Sequence, residues 1–324
     1  MRFIVYGAGA IGGVLGGRLF QAGHDVVLVA RGAHLDRLRE EGLRLESPDA
    51  SVTLPIPAIG DLVALDFRPD DVVLLCVKSQ STGDALEALA AAAPAELPVV
   101  CVQNGVANEL AALRRFANVY GVCVVCPALH LEPGVVEASA SPVTGILDVG
   151  RAPSGCDALG DAISAAFAAS TFASVPRADI MRWKHGKLLN NLSNAIEALC
   201  GSDDGASELH ARARREGIAC LDAAGIEYVS AEEDAARRGD GFQWGSAASS
   251  SRPGASSWQS LARGTGSIEA DYLNGEIVLL GRIHGVATPV NEVLQELAGR
   301  AARERWTPGT MAPEAVIQML PGGE

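Results

Sequence analysis

Arg2-Phe3-Ile4-Val5-Tyr6 is a β-branched, largely apolar run that leads directly into Gly7-Ala8-Gly9-Ala10-Ile11-Gly12. A glycine-rich hexapeptide means little by itself in a chain with 36 glycines. Here it follows a strand pattern, opens a helical pattern at Ile11–Gln21 and precedes a second strand pattern at Asp25–Ala30, all within about 30 residues. That order predicts a βαβ unit with a dinucleotide at its first turn. Gly7 permits the tight turn, Gly9 lets backbone approach a pyrophosphate, and Gly12 lets the helix close onto the strand. The helix start adds free N–H groups and a partial positive charge. Gly7, Ala8, Gly9, Ala10, Ile11 and Gly12 are therefore candidate cofactor-binding residues. A plain βα turn with packing glycines is the bland alternative, and the surrounding unit argues against it.

Further apolar runs at Asp71–Val77, Pro98–Val102 and Val119–Val125 alternate with a helical pattern at Thr82–Ala92. Several lack polar alternation, as strands covered on both faces should. The expected fold is α/β, a Rossmann-type doubly wound parallel sheet, with Glu132–Gly150 adding antiparallel strands at its edge. After about Ser174 the pattern becomes helical, with runs at Asp179–Cys200, Gly205–Ala224, Ile268–His284 and Pro289–Arg303. A chain of 324 residues exceeds the usual size of one core. The expected division is 1–177, a dinucleotide-binding domain, and 178–324, a mostly α-helical domain for substrate and catalysis. Gly239–Ser257 reads as a Gly- and Ser-rich loop, and the tail from Pro308 as loosely ordered.

A net charge of −13 argues against nucleic acid and anionic membranes as partners, while leaving small anions open. The first strand begins at residue 2, which leaves no room for a leader, and no long apolar segment follows, so the expected compartment is the cytoplasm. The seven cysteines lie mostly in apolar runs and read as small buried hydrophobes. Cys123 and Cys126 form a CxxC within a strand pattern, with no second ligand pair, so no metal is expected.

Ligands of open α/β sheets lie beyond the carboxyl ends of the strands. Past the second strand stands Arg31, where an enzyme that reads a bare ribose hydroxyl usually carries a carboxylate. A guanidinium can fork onto a 2′-phosphate, which favours NADPH/NADP over NAD; the bland alternative is a solvated arginine. Lys78 follows the third strand pattern and Gln103-Asn104-Gly105 the next. Lys78 and Asn104 suit the cofactor or substrate, or serve as ordinary polar loop residues.

Residues 182–194 carry three Asn within five positions, which costs helix propensity. Lys187, Asn191 and Asn194 fall at i, i+4 and i+7 on one stripe, beside an apolar stripe of Leu188, Leu192 and Ile196. An ammonium beside two carboxamides suits a ketone: a proton donor with partners for hydroxyl and carbonyl groups. A solvated polar face would show the same letters. Downstream, Glu269 and Asp271 stand near a helix start, where one suffices as a cap. Ser256 and Ser257 offer hydroxyls suited to a carboxylate.

Together these motifs resemble the ketopantoate reductase (2-dehydropantoate 2-reductase) family over nearly the whole chain. The resemblance is carried by Gly7–Gly12, Arg31, Lys78, Gln103-Asn104-Gly105, Lys187-Leu188-Leu189 with its Asn cluster, Ser256-Ser257, and Ile268-Glu269-Ala270-Asp271-Tyr272-Leu273-Asn274-Gly275. His284-Gly285-Val286-Ala287-Thr288-Pro289 and Asn291 close it. It implies reduction of 2-dehydropantoate to pantoate with NADPH, toward pantothenate and coenzyme A. It implies Lys187 as the catalytic proton donor, Asn191, Asn194 and Ser257 as substrate-binding residues, and Glu269, Asn104 and Lys78 on the cofactor side. Two features depart from the pattern. The step from the first Asn to the second is three residues instead of four, leaving Asn190 or Asn191 for the first role, and Gly239–Ser257 is long and polar. Lys184 is a rival donor to Lys187. The alternatives are a relative acting on a different 2-oxo acid and a non-catalytic NADPH-binding sensor. A homodimer through the helical domain is compatible with this reading.

Overall fold

Strand Arg2–Tyr6 sends Phe3 and Val5 to one face and Ile4 to the other, and all three are fully buried. Leu28, Leu74 and Val100 continue the first face, while Val29, Val73, Leu75 and Val99 continue the second. With both faces covered, polar alternation would place unpaired groups in the core, which explains the near-continuous apolar runs. Each fully buried aliphatic or phenyl side chain contributes about 1.5–3 kcal/mol.

A computed structural model describes residues 1–201, 204–239, 254 and 256–321. Among them the strands are β1 (Arg2–Tyr6), β2 (Asp25–Val29), β3 (Leu43–Glu46), β4 (Ser51–Leu54), β5 (Ala58–Ile59), β6 (Asp71–Leu75), β7 (Val99–Cys101), β8 (Val119–Val125), β9 (Ala128–Leu129), β10 (Val135–Ala138), β11 (Gly145–Arg151) and β12 (Phe172–Ala173). The main sheet has the order β12-β11-β8-β7-β6-β1-β2-β5. From β5 through β8 every pairing is parallel; β11 then runs antiparallel to β8 and β12 parallel to β11. This is the expected doubly wound sheet. Strand order reverses at β1, with β2 on one side and β6 on the other, so the crevice for a ligand opens beyond Tyr6.

The edge differs from expectation. Of the segment 132–150, β11 joins the main sheet antiparallel, but the edge strand beyond it, β12, comes from residues 172–173 and runs parallel to β11. β10 instead enters a separate four-stranded sheet of order β4-β3-β10-β9. Its strands are two to four residues long, too short to stand out in the sequence.

The chain forms two units. The first comprises 1–103, 108–184 and, among the described residues, 231–239; the second comprises 104–107, 185–230 and the described residues from 254 onward. In the first, helices Ala10–Gln21, Thr82–Ala92 and Ala158–Ala169 flank the sheet. Helix Ala231–Arg238 belongs there because Arg237 donates to both oxygens of buried Asp148 at 2.6 and 2.8 Å, and Arg182 donates to Glu233 at 2.7 Å. In the second, helix Asn274–His284 packs on Ser207–Ala224 and Pro289–Arg303, and helix Ser256–Ala262 packs on Ser193–Cys200.

Three further expectations need correction. The run Asp179–Cys200 is two helices, Ile180–Asn191 and Ser193–Cys200, broken at Leu192. There the Leu192 carbonyl accepts from Asn274 Nδ2 at 3.3 Å, a bond that a distant residue supplies. The run Ile268–His284 is a 3-10 turn at Glu269–Tyr272 followed by a helix from Asn274, with Leu273 at ψ −84° interrupting them. The tail holds helix Pro313–Gln318, with Val316 and Leu320 buried, so its apolar residues anchor it. Of the loop expected at Gly239–Ser257, only Gly239, Gly254, Ser256 and Ser257 are described; the rest lies outside the described residues. No helix among the described residues is long and apolar enough to cross a membrane.

Candidate functional site

In the first unit the loop after β1 sits at the switch in strand order. Gly7 has φ +106°, and a β-carbon there would lie 2.8 Å from the Val77 amide nitrogen. A β-carbon at Gly12 would lie 2.1 Å from the Gly7 carbonyl oxygen, so nothing larger fits. Gly9 differs: a β-carbon would meet nothing within 4 Å, so no protein packing demands glycine there. Open space above Gly9 is what a closely approaching ligand would need. Gly9 is also the N-cap of helix Ala10–Gln21, which has no side-chain cap. The first-turn amides of any α-helix lack intrahelical partners, and here no capping side chain takes them. Gly7 and Ala8 donate their own amides to the Val29 carbonyl at 3.1 and 3.2 Å, which anchors the loop to β2. These features fit a dinucleotide's pyrophosphate.

Arg31 is exposed and caps helix Gly32–Glu41 in extended conformation, two residues past β2. Burial pushes the Tyr6 phenol up, and the Arg31 guanidinium opposes that shift, so its charge lies near the end of β1. Lys78 is half-buried and extended, just ahead of the turn Ser79–Ser81. The loops after β6 and β7 are tied together. Gln103 Nε2 donates to the Val77 carbonyl at 2.7 Å and to Thr82 Oγ1 at 2.9 Å; Thr82 donates to Asn108 Oδ1, which is on the same amide that donates to Ser79 Oγ at 3.2 Å. Gln103, just past β7, is a structural tie.

Lys184, the rival proton donor, is 3 % exposed. Its Nζ lies 2.6 Å from Glu109 Oε1 and donates to the carbonyls of Gln103 at 2.8 Å and Val122 at 3.3 Å. An ion pair with Glu109 and two carbonyl acceptors hold this buried ammonium inside the protein. Glu109 escaped the sequence reading because it stands 75 positions from its partner. Gly121 was an available signal: a glycine inside β8 marks a close approach, and a β-carbon there would lie 3.2 Å from Glu109 Oε1.

In the second unit Lys187 is half-buried on helix Ile180–Asn191. Asn191, one turn on, is 4 % exposed, and its Nδ2 has no hydrogen-bond partner among the described residues. Asn190 instead accepts from Arg214 Nη1 at 2.9 Å. Between the two candidates for the first Asn role, Asn191 therefore holds the unspent donor. Asn194 is half-buried in the next helix, beyond the break at Leu192, so Lys187, Asn191 and Asn194 do not share one unbroken helix. Ser257, 2 % exposed, lies on helix Ser256–Ala262, which packs against the helix of Asn194. Ser256 Oγ donates to Glu269 Oε2 at 3.3 Å, so the turn of Glu269 is held to the serine pair. Glu269 is buried at 5 % exposure. Asn104 belongs to this unit too: the next residue, Gly105, has φ +78°, and a β-carbon on it would lie 3.0 Å from the Tyr272 carbonyl. Asn274 and Asn291 form scaffolding. Asn274 Nδ2 donates to Asn291 Oδ1 at 3.0 Å, and Asn291 donates to Glu216 at 2.8 Å and to the Ala213 carbonyl at 3.0 Å.

The CxxC thiols belong to the packing of β8 and its end. Cys123 donates weakly to the Trp183 carbonyl, and burial pushes Cys126 up to about 12. Among the described residues no group of His, Cys, Asp and Glu is arranged to hold a metal ion.

Comparison with known proteins gives one consistent family. The model described as "Ketopantoate reductase PanE/ApbA" matches residues 3–153, and its C-terminal counterpart matches residues 179–302. The 2-dehydropantoate 2-reductase of Halobacterium salinarum is 31% identical over 94% of this chain and 100% of its own length. Among solved structures, a PanE/ApbA family ketopantoate reductase from Ralstonia eutropha aligns with TM-score 0.79 and 28% identity over 94% of this chain and 99% of that one. A D-mandelate dehydrogenase solved with NADH and anilino(oxo)acetate aligns with TM-score 0.81 and 22% identity over the same shares, a likeness of fold.

Proposed function

The chain belongs to the ketopantoate reductase family of oxidoreductases, and from that premise we propose that it reduces 2-dehydropantoate to pantoate with NADPH. The observation that carries this reading is the Asn191 carboxamide, buried with an unspent donor one turn from Lys187. A buried polar group without a partner costs about 1–3 kcal/mol, which a bound hydroxyl or carbonyl would return. The relative from Halobacterium salinarum, matched along its whole length, supports the choice of substrate.

Bound NADPH would supply the hydride. The amides of Gly9 and the first helical turn take the pyrophosphate, and Arg31 takes the 2′-phosphate. Lys78, Asn104 and Glu269 serve the cofactor. Asn191 and Asn194 hold the hydroxyl and carbonyl of the acid, and Ser257 its carboxylate. Negative charge develops on the ketone oxygen as it is reduced; the Lys187 ammonium stabilises that charge and delivers the proton. The burial of Lys184 and its ion pair with Glu109 favour Lys187 for this role.

A second reading keeps this chemistry with a different 2-oxo acid. It is favoured by the shortened step from Asn191 to Asn194 and the helix break at Leu192, which alter how the second carboxamide is presented. The dehydrogenase bound to anilino(oxo)acetate is a precedent for such divergence on this fold. The test is oxidation of NADPH, with NADH in parallel, in the presence of 2-dehydropantoate and a panel of 2-oxo acids. Turnover with 2-dehydropantoate at the highest kcat/KM supports the proposal; preference for another acid supports the second reading. Tight NADPH binding without turnover of any acid would make the chain a sensor.

A further inference from the structure

None of the motifs above includes His34, yet it touches the phosphate loop. It stands in the first turn of helix Gly32–Glu41, three residues after Arg31. Its Nε2 lies 2.7 Å from the Ala8 carbonyl oxygen, and its Nδ1 lies 2.9 Å from the Gly134 amide nitrogen. A carbonyl only accepts and a backbone amide only donates, so the network assigns one tautomer: Nε2 carries the proton and Nδ1 is bare. The ring packs on His130 with centroids 4.3 Å apart, and His130 is itself oriented by the Val135 carbonyl at 2.9 Å. Burial pushes the His34 pKa below its usual value, with the Ala8 bond opposing, which keeps the ring neutral.

What this clamp fixes follows from peptide geometry. The Ala8 carbonyl and the Gly9 amide belong to one planar trans unit, so they point in opposite directions. Holding the carbonyl toward His34 therefore aims the Gly9 N–H the other way. The Ala8 amide is held by Val29, so the preceding peptide plane is fixed as well. The same bond pins the helix turn that carries Arg31 to the glycine loop. We propose that His34 is a positioning residue for the dinucleotide: it aims the Gly9 amide and sets the Arg31 turn against the phosphate loop, with the Gly134 amide selecting its tautomer. This rests on the reading of Gly7–Gly12 and Arg31 as a dinucleotide site.

The test measures NADPH and NADH dissociation constants and steady-state kinetics for the full-length protein and for His34→Leu, His34→Gln, Arg31→Ala and the double variant His34→Leu/Arg31→Ala. His34→Leu keeps the apolar volume and removes both hydrogen bonds. It should weaken NADPH about tenfold or more, and NADH less, because NADPH also loses the placement of Arg31. The KM for NADPH should rise with kcat at saturating cofactor preserved, a split that general loss of structure would not give. His34→Gln, whose amide reaches the Ala8 carbonyl, should recover most of the affinity. In the Arg31→Ala background the NADPH loss should shrink to that seen with NADH, a non-additive cycle. A folded His34→Leu protein with unchanged NADPH affinity overturns the proposal, as does an additive cycle or a fall in kcat without a rise in KM. Should the leucine variant not fold, His34→Asn decides, since its amide reaches Gly134 and not Ala8; unchanged affinity there overturns the proposal equally. Failure of the unaltered protein to bind either dinucleotide would sink the assignment of the loop itself, a result distinct from a silent His34.

Discussion

Lys184 and Lys187 share helix Ile180–Asn191 and differ in burial and in what stands beside them. Lys184 is 3 % exposed, ion-paired with Glu109 and donating to two carbonyls. Lys187 is half-buried and stands one turn from a carboxamide whose Nδ2 is unspent. A buried ammonium held by an ion pair and two carbonyls holds structure, whereas a half-buried one beside an unspent carboxamide donor suits a ligand site. On sequence alone the two were rivals. The comparison can be broken experimentally, because the two residues should fail in different ways.

Lys187→Ala should lower kcat about 10²–10⁴-fold, the range for losing a positioned general acid, while NADPH affinity changes little. Single-turnover kinetics with NADPH and 2-dehydropantoate would check this, and unchanged turnover removes Lys187 from the chemistry. Lys184→Met should act on stability instead. It leaves the Glu109 carboxylate buried at 1 % exposure without its partner, which costs about 3–5 kcal/mol. Denaturant unfolding would measure the loss, and adding Glu109→Leu should restore much of it, since an apolar pair can replace a buried ion pair at little cost. A stable Lys184→Met protein that has lost turnover would reverse the two assignments.

A third variant sharpens the comparison from the cofactor side. Arg31 is exposed, so its loss should leave stability almost untouched. Arg31→Ala should weaken NADPH about tenfold to a hundredfold relative to NADH, the value of charge-assisted bonds to a phosphate. Calorimetric titration with both cofactors would read it, and equal losses would show that Arg31 does not read the 2′-phosphate.

What the sequence revealed and what it hid follow a physical divide. The β1 run, the glycine loop and the opening of the Ala10–Gln21 helix were legible because each depends on neighbours in the chain: burial on both faces, a positive φ, an uncapped helix start. The break at Leu192 was not, because Leu188, Leu192 and Ile196 keep helical spacing across it, and the group that takes the Leu192 carbonyl comes from Asn274. The Lys184–Glu109 pair and the His34 clamp were hidden for the same reason, as their partners lie 75, 26 and 100 positions away. The strands of the small sheet were too short for period-two alternation to register. Asn190 and Asn191 were indistinguishable as letters; the Arg214 contact to one and the burial of the other with its unspent Nδ2 separate them.

That last distinction yields the smallest and most discriminating effect. Asn191→Leu replaces a carboxamide of similar shape whose Nδ2 has no partner, so stability should hold or rise slightly, since an unsatisfied buried donor is removed. The KM for the 2-oxo acid should nevertheless rise about tenfold, the worth of one hydrogen bond to substrate. Asn190→Leu should show the reverse. It breaks the bond to Arg214, costing about 1 kcal/mol or less at a half-buried position, and leaves the KM for the acid unchanged. Thermal unfolding and initial rates on the two proteins settle which carboxamide meets the substrate. A raised KM in Asn190→Leu with none in Asn191→Leu would mean that the unspent donor serves no ligand. The contrast between the buried Lys184 and the half-buried Lys187 would then lose its strongest support.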